Sequence, residues 1–313
     1  MPANENERPG ERELVAQLLR LGLVDAGGPI PFGDDMAAAE PGAAPLLWSS
    51  DMLMDGVDFD SSVHDWRSIG RKAMAVSLSD CAAMAAAPLA ALCAIALEQR
   101  LPMRAALDLQ AGVAEAARAA GCRVVGGDTN SWPQPSVICV TVSARPEPGR
   151  APVTRRGARP GAALYLTGKL GGSILGRHMR PPLRIDVALA MNRELGPLAM
   201  IDISDGLAID LSRMLEASGC GAELEAPLLE DVIHDDARTL ARQTGRPPLA
   251  HALHDGEDFE LLVALPAPLP KALAERFGLA LIGRVVEGAE MALVARDGQR
   301  RPIEPRGWEH PVG

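Results

Sequence analysis

Apolar positions recur along the chain in two rhythms, one with helical spacing and one with the shorter runs of strands. Leu14, Val15, Leu18 and Leu19 stand between charged residues at helical spacing, which predicts a short N-terminal helix over 11–21 with one apolar face. A Gly/Pro loop ending in Gly33-Asp34-Asp35 follows, then a strand over 45–50 and a long Ala- and Met-rich helix over 66–86, stopped by Pro88. The pattern next gives a buried strand at 89–97, a helix at 103–120 closed by Gly121, and strands at 123–125 and 136–144. Residues 145–161 break the rhythm with prolines, glycines and arginines, and the domain boundary is expected there. Beyond them come strands at 162–166, 199–203, 259–265, 279–286 and 291–295, a glycine-rich turn at 167–172, and a helix at 206–217 closed by Gly219 and Gly221. Strands alternating with helices in both halves predict α/β construction in two domains, 1–148 and 149–313. No short-period repeat, low-complexity tract or coiled-coil heptad interrupts that plan.

Composition narrows the chemistry. An apolar fraction of 47% in 313 residues suffices for two packed domains. A formal charge of -10 argues against non-specific nucleic-acid binding, and an aromatic content of 3% leaves few stacking platforms. An acidic chain that binds an anionic substrate needs metal ions as intermediaries, since its own carboxylates repel the ligand. Cys81, Cys93, Cys122, Cys139 and Cys220 are odd in number, widely spaced and set mostly among apolar neighbours, so they read as reduced, largely buried thiols. The N-terminus has no signal-peptide pattern and no apolar stretch reaches membrane-spanning length, which makes the cytoplasm the expected location, with no membrane partner.

Five short acidic segments carry the chemistry. They are Gly33-Asp34-Asp35, Ser49-Ser50-Asp51, Ser77-Leu78-Ser79-Asp80, Gly126-Gly127-Asp128-Thr129 and Asp202-Ile203-Ser204-Asp205-Gly206. Carboxylate and hydroxyl oxygens are what magnesium takes when it shares one or two carboxylates with substrate phosphates. Each segment also has a plain explanation. Gly33-Asp34-Asp35 and Gly126-Gly127 are ordinary turn formers, Ser49-Ser50-Asp51 is a strand end, and Asp205 is placed to cap the following helix. Asp80 lies among Met74, Val76, Cys81 and Met84, where a carboxylate faces either solvent or a cation, with Lys72 two turns earlier as a possible structural partner. The paired glycines before Asp128 let a backbone approach phosphate oxygens. His254-Asp255-Gly256-Glu257-Asp258 is a sixth acidic turn, and Gly307-Trp308 offers either a stray surface aromatic or a flat lid for a heteroaromatic ligand. A P-loop is excluded, because Thr167-Gly168-Lys169-Leu170 lacks the hydroxyl after Lys and has Ala163 in place of the leading Gly. Protein-kinase and α/β-hydrolase motifs are absent as well.

Taken in order, these segments resemble the thiamine-monophosphate kinase family, within the superfamily of aminoimidazole ribonucleotide synthetase, selenophosphate synthetase and the hydrogenase-maturation protein HypE. The likeness runs from about Gly33 to Trp308, and its most specific pieces are the Lys72 to Asp80 run, Gly126-Gly127-Asp128-Thr129, Thr154-Arg155 with Pro160-Gly161, Asp202 to Leu207, and Gly256-Glu257-Asp258-Phe259-Glu260. The resemblance implies a two-domain, PurM-like α/β (α+β) architecture whose N-terminal sheet domain forms a homodimer interface. It implies transfer of the γ-phosphoryl group of ATP to thiamine monophosphate, with several Mg2+ ions. Matched by motif, Asp35, Ser49, Ser50, Asp51, Asp80, Asp128, Asp202 and Asp205 surround the metals. Gly127, Asp128, Arg155 and Ser204 hold ATP, with Asp80, Asp128 and Arg155 as the catalytic set. Glu257 and Trp308 meet the thiamine moiety, and Asp58 occupies the substrate position where the family usually has His. Two further departures are a short stretch between Gly172 and His178, and the alanines at Ala85-Ala86-Ala87 before Pro88. Two other members of the superfamily fit less well: the first cysteine, Cys81, lies too late for selenophosphate synthetase, and the C-terminus lacks the cysteine of HypE. Another ATP-dependent member, aminoimidazole ribonucleotide synthetase above all, stays open on the residues alone, though Gly256-Glu257-Asp258 and Gly307-Trp308 favour the thiamine enzyme. A non-catalytic nucleotide or thiamine-phosphate sensor is the rival from another class.

Overall fold

The computed structural model describes residues 36–39 and 45–310. The helix expected at 11–21 and the Gly33-Asp34-Asp35 segment, with its metal candidate Asp35, lie outside them. The first half holds strands β1 (Ala37–Ala39), β2 (Leu46–Met54), β3 (Ala86–Glu98), β4 (Arg123–Trp132) and β5 (Val137–Pro146), with helices α1 (Trp66–Ala83) and α2 (Met103–Ala119). They form a five-stranded sheet in the order β1-β2-β5-β3-β4. Its pairs are antiparallel except β3 with β4, which a crossover through α2 joins in parallel. Alternation decides the faces: Leu47 and Leu53 on β2 and Ile138, Val140 and Val142 on β5 turn inward against α1, while Trp48 and Met52 remain exposed on the outer face. Asp65 starts α1 by accepting the Ser68 N–H at 2.9 Å, a cap worth about 1 kcal/mol.

Two expectations fail here. Helix α1 ends at Ala83, and Pro88 lies inside β3, beside the register shift between Pro88 and Ala90, where a residue without an N–H is tolerated. The Gly126-Gly127-Asp128-Thr129 segment is not a turn but the middle of β4, which continues to Trp132 along β3.

The second half carries β6 (Ala163–Leu166), β7 (Ala199–Asp202), β8 (Gly221–Glu225), β9 (Leu261–Leu265), β10 (Ala280–Val286), β11 (Met291–Val294) and β12 (Arg300–Pro302) in the order β12-β11-β8-β10-β6-β9-β7. Helices α3 (Ile185–Glu194), α4 (Leu207–Ser218), α5 (Ala226–Val232), α6 (Asp235–Thr244), α7 (Pro248–His254) and α8 (Lys271–Phe277) surround it. The sequence pattern showed only α4 among these helices, because the others are short or, like α6, mostly polar. One core joins the inner face of the first sheet and α1 to Met191 of α3 and to Tyr165, Met200 and Val263 of the second sheet. The other face of that sheet packs Leu164, Ile201 and Leu262 against Leu211 and Met214 of α4 and Leu229 of α5. Among the described residues no helix is long and apolar enough to cross a membrane. Four of the five cysteines are buried, Cys139 is half-buried, and none is in a disulfide.

Candidate active site

Where α1 meets the end of β7, a cleft of about 900 Å³ opens between the two sheets. Strand alternation sends Ser49 and Asp51 to the inner face of β2, beneath α1, where the Ser49 hydroxyl donates to the Asp80 carboxylate. On the second half, Asp202 ends β7 almost fully buried and accepts the Ser79 hydroxyl of α1 at 2.5 Å. The two halves are thus tied by a hydroxyl and a carboxylate inside the cleft. Of the residues singled out in the sequence, Ser49, Ser50, Asp51, Asp58, Asp80, Arg155, Asp202, Ser204, Asp205, Glu257 and Trp308 all line this one space. The donors at its metal end are oxygens, which suits a hard cation. Acidic side chains outnumber basic ones along its walls, which disfavours a bare polyphosphate there. Among the described residues no three His, Cys, Asp or Glu side chains converge into a ready metal shell.

Several placements differ from expectation. Ser50 turns its hydroxyl to Thr141 on β5, at 2.8 Å, away from Asp80. Asp205 does not cap α4. The Asp210 carboxylate accepts the N–H groups of Asp205 and Gly206 at 3.0 and 3.1 Å, and Arg213 bridges Asp205 and Asp210 at 2.6 Å each. Burial, with Asp205 beside it, pushes the Asp210 carboxyl upward. Lys72 is not the partner of Asp80. Its fully buried ammonium crosses to the other half, donating to the Asp58 main-chain oxygen and to Glu257 Oε1 at 2.7 Å.

Gly127 and Asp128 are not brought to the cleft within one chain. They sit on the far edge strand, opposite Cys93 and Ala94, three strands from β2, and Asp128 is exposed on the outer face in the row of Met52. The requirement for glycine at 127 comes from strand packing, since its φ is +156° and a Cβ there would lie 1.8 Å from the Cys93 carbonyl oxygen.

The far end of the cleft is built on strain. Glu257 and Phe259 have φ of +53° and +52°, values that cost L-residues roughly 1–3 kcal/mol each and cluster at functional sites. Their N–H groups hold them in place by donating to the Ser204 and Ile203 carbonyls at 2.6 and 2.8 Å. Burial raises the Glu257 pKa while the Lys72 charge opposes the shift. Asp58 uses its carboxylate to accept the Met54 N–H at 2.7 Å, which closes the turn after β2. Trp308, half-exposed, lines the cleft and is anchored by its main-chain N–H, which donates to the Asp205 carbonyl at 2.9 Å. Only glycine fits before it, because a Cβ at Gly307 would lie 2.4 Å from that same carbonyl oxygen. Sequence reasoning missed Arg213, Arg246, Thr244 and His251, which also line the cleft. His251 joins Asp255 through Nδ1 at 2.8 Å and Thr244 through Nε2 at 2.9 Å, and its spacing of four from Asp255 was the one available signal.

The chain matches the AIR synthase related protein N-terminal domain over residues 33–145 and the C-terminal domain of the same family over 159–296. It is 38% identical over 293 residues to the thiamine-monophosphate kinase of Rhodopirellula baltica, covering 90% of this chain and 91% of that relative. It belongs to the AIR synthase related family, among the thiamine-monophosphate kinases. The Escherichia coli K12 thiamine-monophosphate kinase is 32% identical, with 89% of this chain and 91% of the relative covered. The structure of AaThiL complexed with AMPPCP and TMP superposes with a TM-score of 0.83 at 28% identity, covering 98% of this chain and 100% of that one. Escherichia coli HypE, at 20% identity and a TM-score of 0.68 over 95% of this chain and 98% of that one, shares the fold.

Proposed function

We propose that this protein transfers the γ-phosphoryl group of ATP to thiamine monophosphate, giving thiamine diphosphate and ADP. The observation that carries the reading is the single cleft whose one end is carboxylate and hydroxyl oxygen and whose other end joins Lys72, Glu257 and Trp308. A phosphate monoester has its second pKa near ~6 and is already largely ionised at neutral pH, so no general base is required. The obstacle is the approach of two anions. Asp51, Asp80, Asp202 and Asp205 present the oxygens that would hold magnesium, with Ser49 and Ser79 fixing two of those carboxylates. Bound magnesium would neutralise phosphate charge and align an in-line displacement. Arg155 enters from the linker to face the same space and stabilises charge on the transferred group, while Ser204 sits on the neighbouring turn for the ATP phosphates. Glu257, Asp58 and Trp308 receive the thiamine moiety, whose ring positive charge suits carboxylates and an aromatic face lining one cleft.

The assignment of Gly127 and Asp128 to ATP and metal rests on their motif, and Asp35 keeps its metal assignment on the same ground. Homodimer formation through the first sheet is supported by its outer face, where Trp48, Met52, Leu92 and Trp132 are exposed beside Asp128. A second copy covering that face would bring new neighbours to Asp128. The division at 148/149 is supported by the irregular segment 147–162 between β5 and β6, and the cytoplasm remains the proposed location.

The test is thiamine diphosphate formation by purified protein given magnesium-ATP and thiamine monophosphate, with Asp80→Asn and unphosphorylated thiamine as controls. Product that needs both Asp80 and the monophosphate is expected. Magnesium-dependent ATP binding without product would replace the kinase reading with a sensor or a different acceptor.

A further inference from the structure

The strained 256–260 segment has a second side. Glu257 faces the catalytic cleft, whereas Asp258 and Glu260 form the floor of a separate cavity of about 360 Å³ on the second half. Both floor carboxylates are buried and already satisfied. Asp258 accepts the Gly171 N–H at 2.8 Å and Arg177 at 3.0 Å. Glu260 accepts two N–H groups of Arg184 at 2.7 and 2.6 Å and the Thr167 hydroxyl at 2.6 Å. The Arg177 Nε is taken by Asp236 at 2.9 Å.

The walls are different. Lys169 and Arg180 line the cavity, are exposed, and make no ion pair with any described residue. His234 accepts the Asp236 N–H through Nδ1 at 3.0 Å, which leaves Nε2 as its proton-bearing nitrogen. Burial, and then Arg177, push its pKa down, against the neighbouring Asp236 and Asp235. The cavity therefore offers cationic and N–H donors, while every carboxylate on its floor is committed. In a chain of net charge -10 such a concentration of positive charge is not the background of the surface.

We propose that this cavity binds a small phosphate-bearing anion, as inorganic phosphate or a phosphate monoester, at a site separate from the catalytic cleft. Two exposed cations with the His234 imidazole beside them match a dianion of that size, through charge-assisted hydrogen bonds of the kind that Lys and Arg make to phosphate oxygens. An anion there also competes for the guanidinium groups that brace Asp258 and Glu260, so occupation reaches the segment carrying Glu257.

Direct binding tests this independently of the kinase reading. Full-length protein is titrated with inorganic phosphate and, separately, glycerol phosphate at constant ionic strength by calorimetry. Comparison is made with Lys169→Gln/Arg180→Gln, whose exposed positions leave folding intact, and with Arg155→Gln, which alters only the catalytic cleft. Binding is expected to weaken by about tenfold or more in the double variant and to persist in Arg155→Gln, with kcat of the double variant unchanged. The tighter of the two probes identifies the source of the anion. The proposal is overturned by phosphate binding unchanged in the double variant, by binding lost only with Arg155→Gln, or by no binding of either probe at tens of millimolar.

Discussion

The two sheets of this molecule solve opposite problems. In the second, β6, β7 and β9 are buried along their whole length, because α4 and α5 cover one face and α3 with the first half covers the other. In the first, β2 and β3 alternate between buried and exposed positions, and the outer face keeps Trp48, Met52 and Leu92 in solvent. A sheet covered on both faces is a core, and its residues answer to packing. A sheet covered on one face divides labour: its inner side holds Ser49 and Asp51 against Asp80, and its outer side remains for another surface.

An aspartate gained in the second sheet and one lost beside the first separate these roles most sharply. Val263→Asp puts a charge at a fully buried position of β9 and is expected to cost more than about 4 kcal/mol, which denaturant melts would register as loss of the folded protein. A variant that folds normally would mean the second sheet is not sealed on both faces. Asp80→Asn, which removes the carboxylate that α1 holds against the inner side of the first sheet, is expected to lower kcat roughly a thousandfold, about 4 kcal/mol, with the melting temperature nearly unchanged. Turnover at the wild-type rate would remove Asp80 from the catalytic set.

The contact between the halves comes next. Lys72→Met removes the buried cation from Glu257 and is expected to raise KM for thiamine monophosphate about tenfold while KM for ATP stays put. Without that cation the Glu257 pKa rises further, so the acid limb of kcat/KM moves to higher pH, and Lys72→Arg should restore part of it. A loss of stability with no movement of that limb would reduce Lys72 to a structural tie.

Asp258 gives a smaller, pH-dependent effect. Burial moves its carboxyl from an ordinary 3.8 up to about 7, so the native state holds a proton that the unfolded chain has already released in that window. Its contribution to stability is complete below the ordinary value and is lost as pH rises through about 7. Asp258→Asn should flatten the melting temperature across that range, and an unaltered slope would assign the dependence to another group. The smallest effect on folding belongs to Met52→Asp on the outer face. It should change stability by no more than about 0.5 kcal/mol yet yield monomers by sedimentation. A dimer that survives it would place the interface elsewhere.

How much of this was legible varies with the physical origin of each feature. Helix α1, β2, β3 and β5 could be read from periodicity, because one-sided burial writes itself into alternation. The cleft residues Ser49, Asp51, Asp80, Asp202, Glu257 and Trp308 could be read from motif only in company, since each segment alone is equally a turn, a strand end or a surface position. Lys72 was paired with Asp80 in the sequence because helical spacing is local information, whereas its true partner, Glu257, lies 185 residues away. Arg213 gave no sign, for a polar residue within a helix looks alike whether it faces water or a cleft.

The sequence by itself determined the α/β character, the two halves and the chemistry of the cleft, because residue type and short spacing suffice to specify burial patterns and donor atoms. Only the tertiary structure decided that Gly127 and Asp128 lie within a strand on the outer face, that Asp210 and not Asp205 holds the start of α4, and that a cavity lined by Lys and Arg side chains stands behind the Glu257 segment. Those outcomes depend on which strand lies beside which and on which side of it a residue faces, and that is fixed by contacts between residues far apart in the chain.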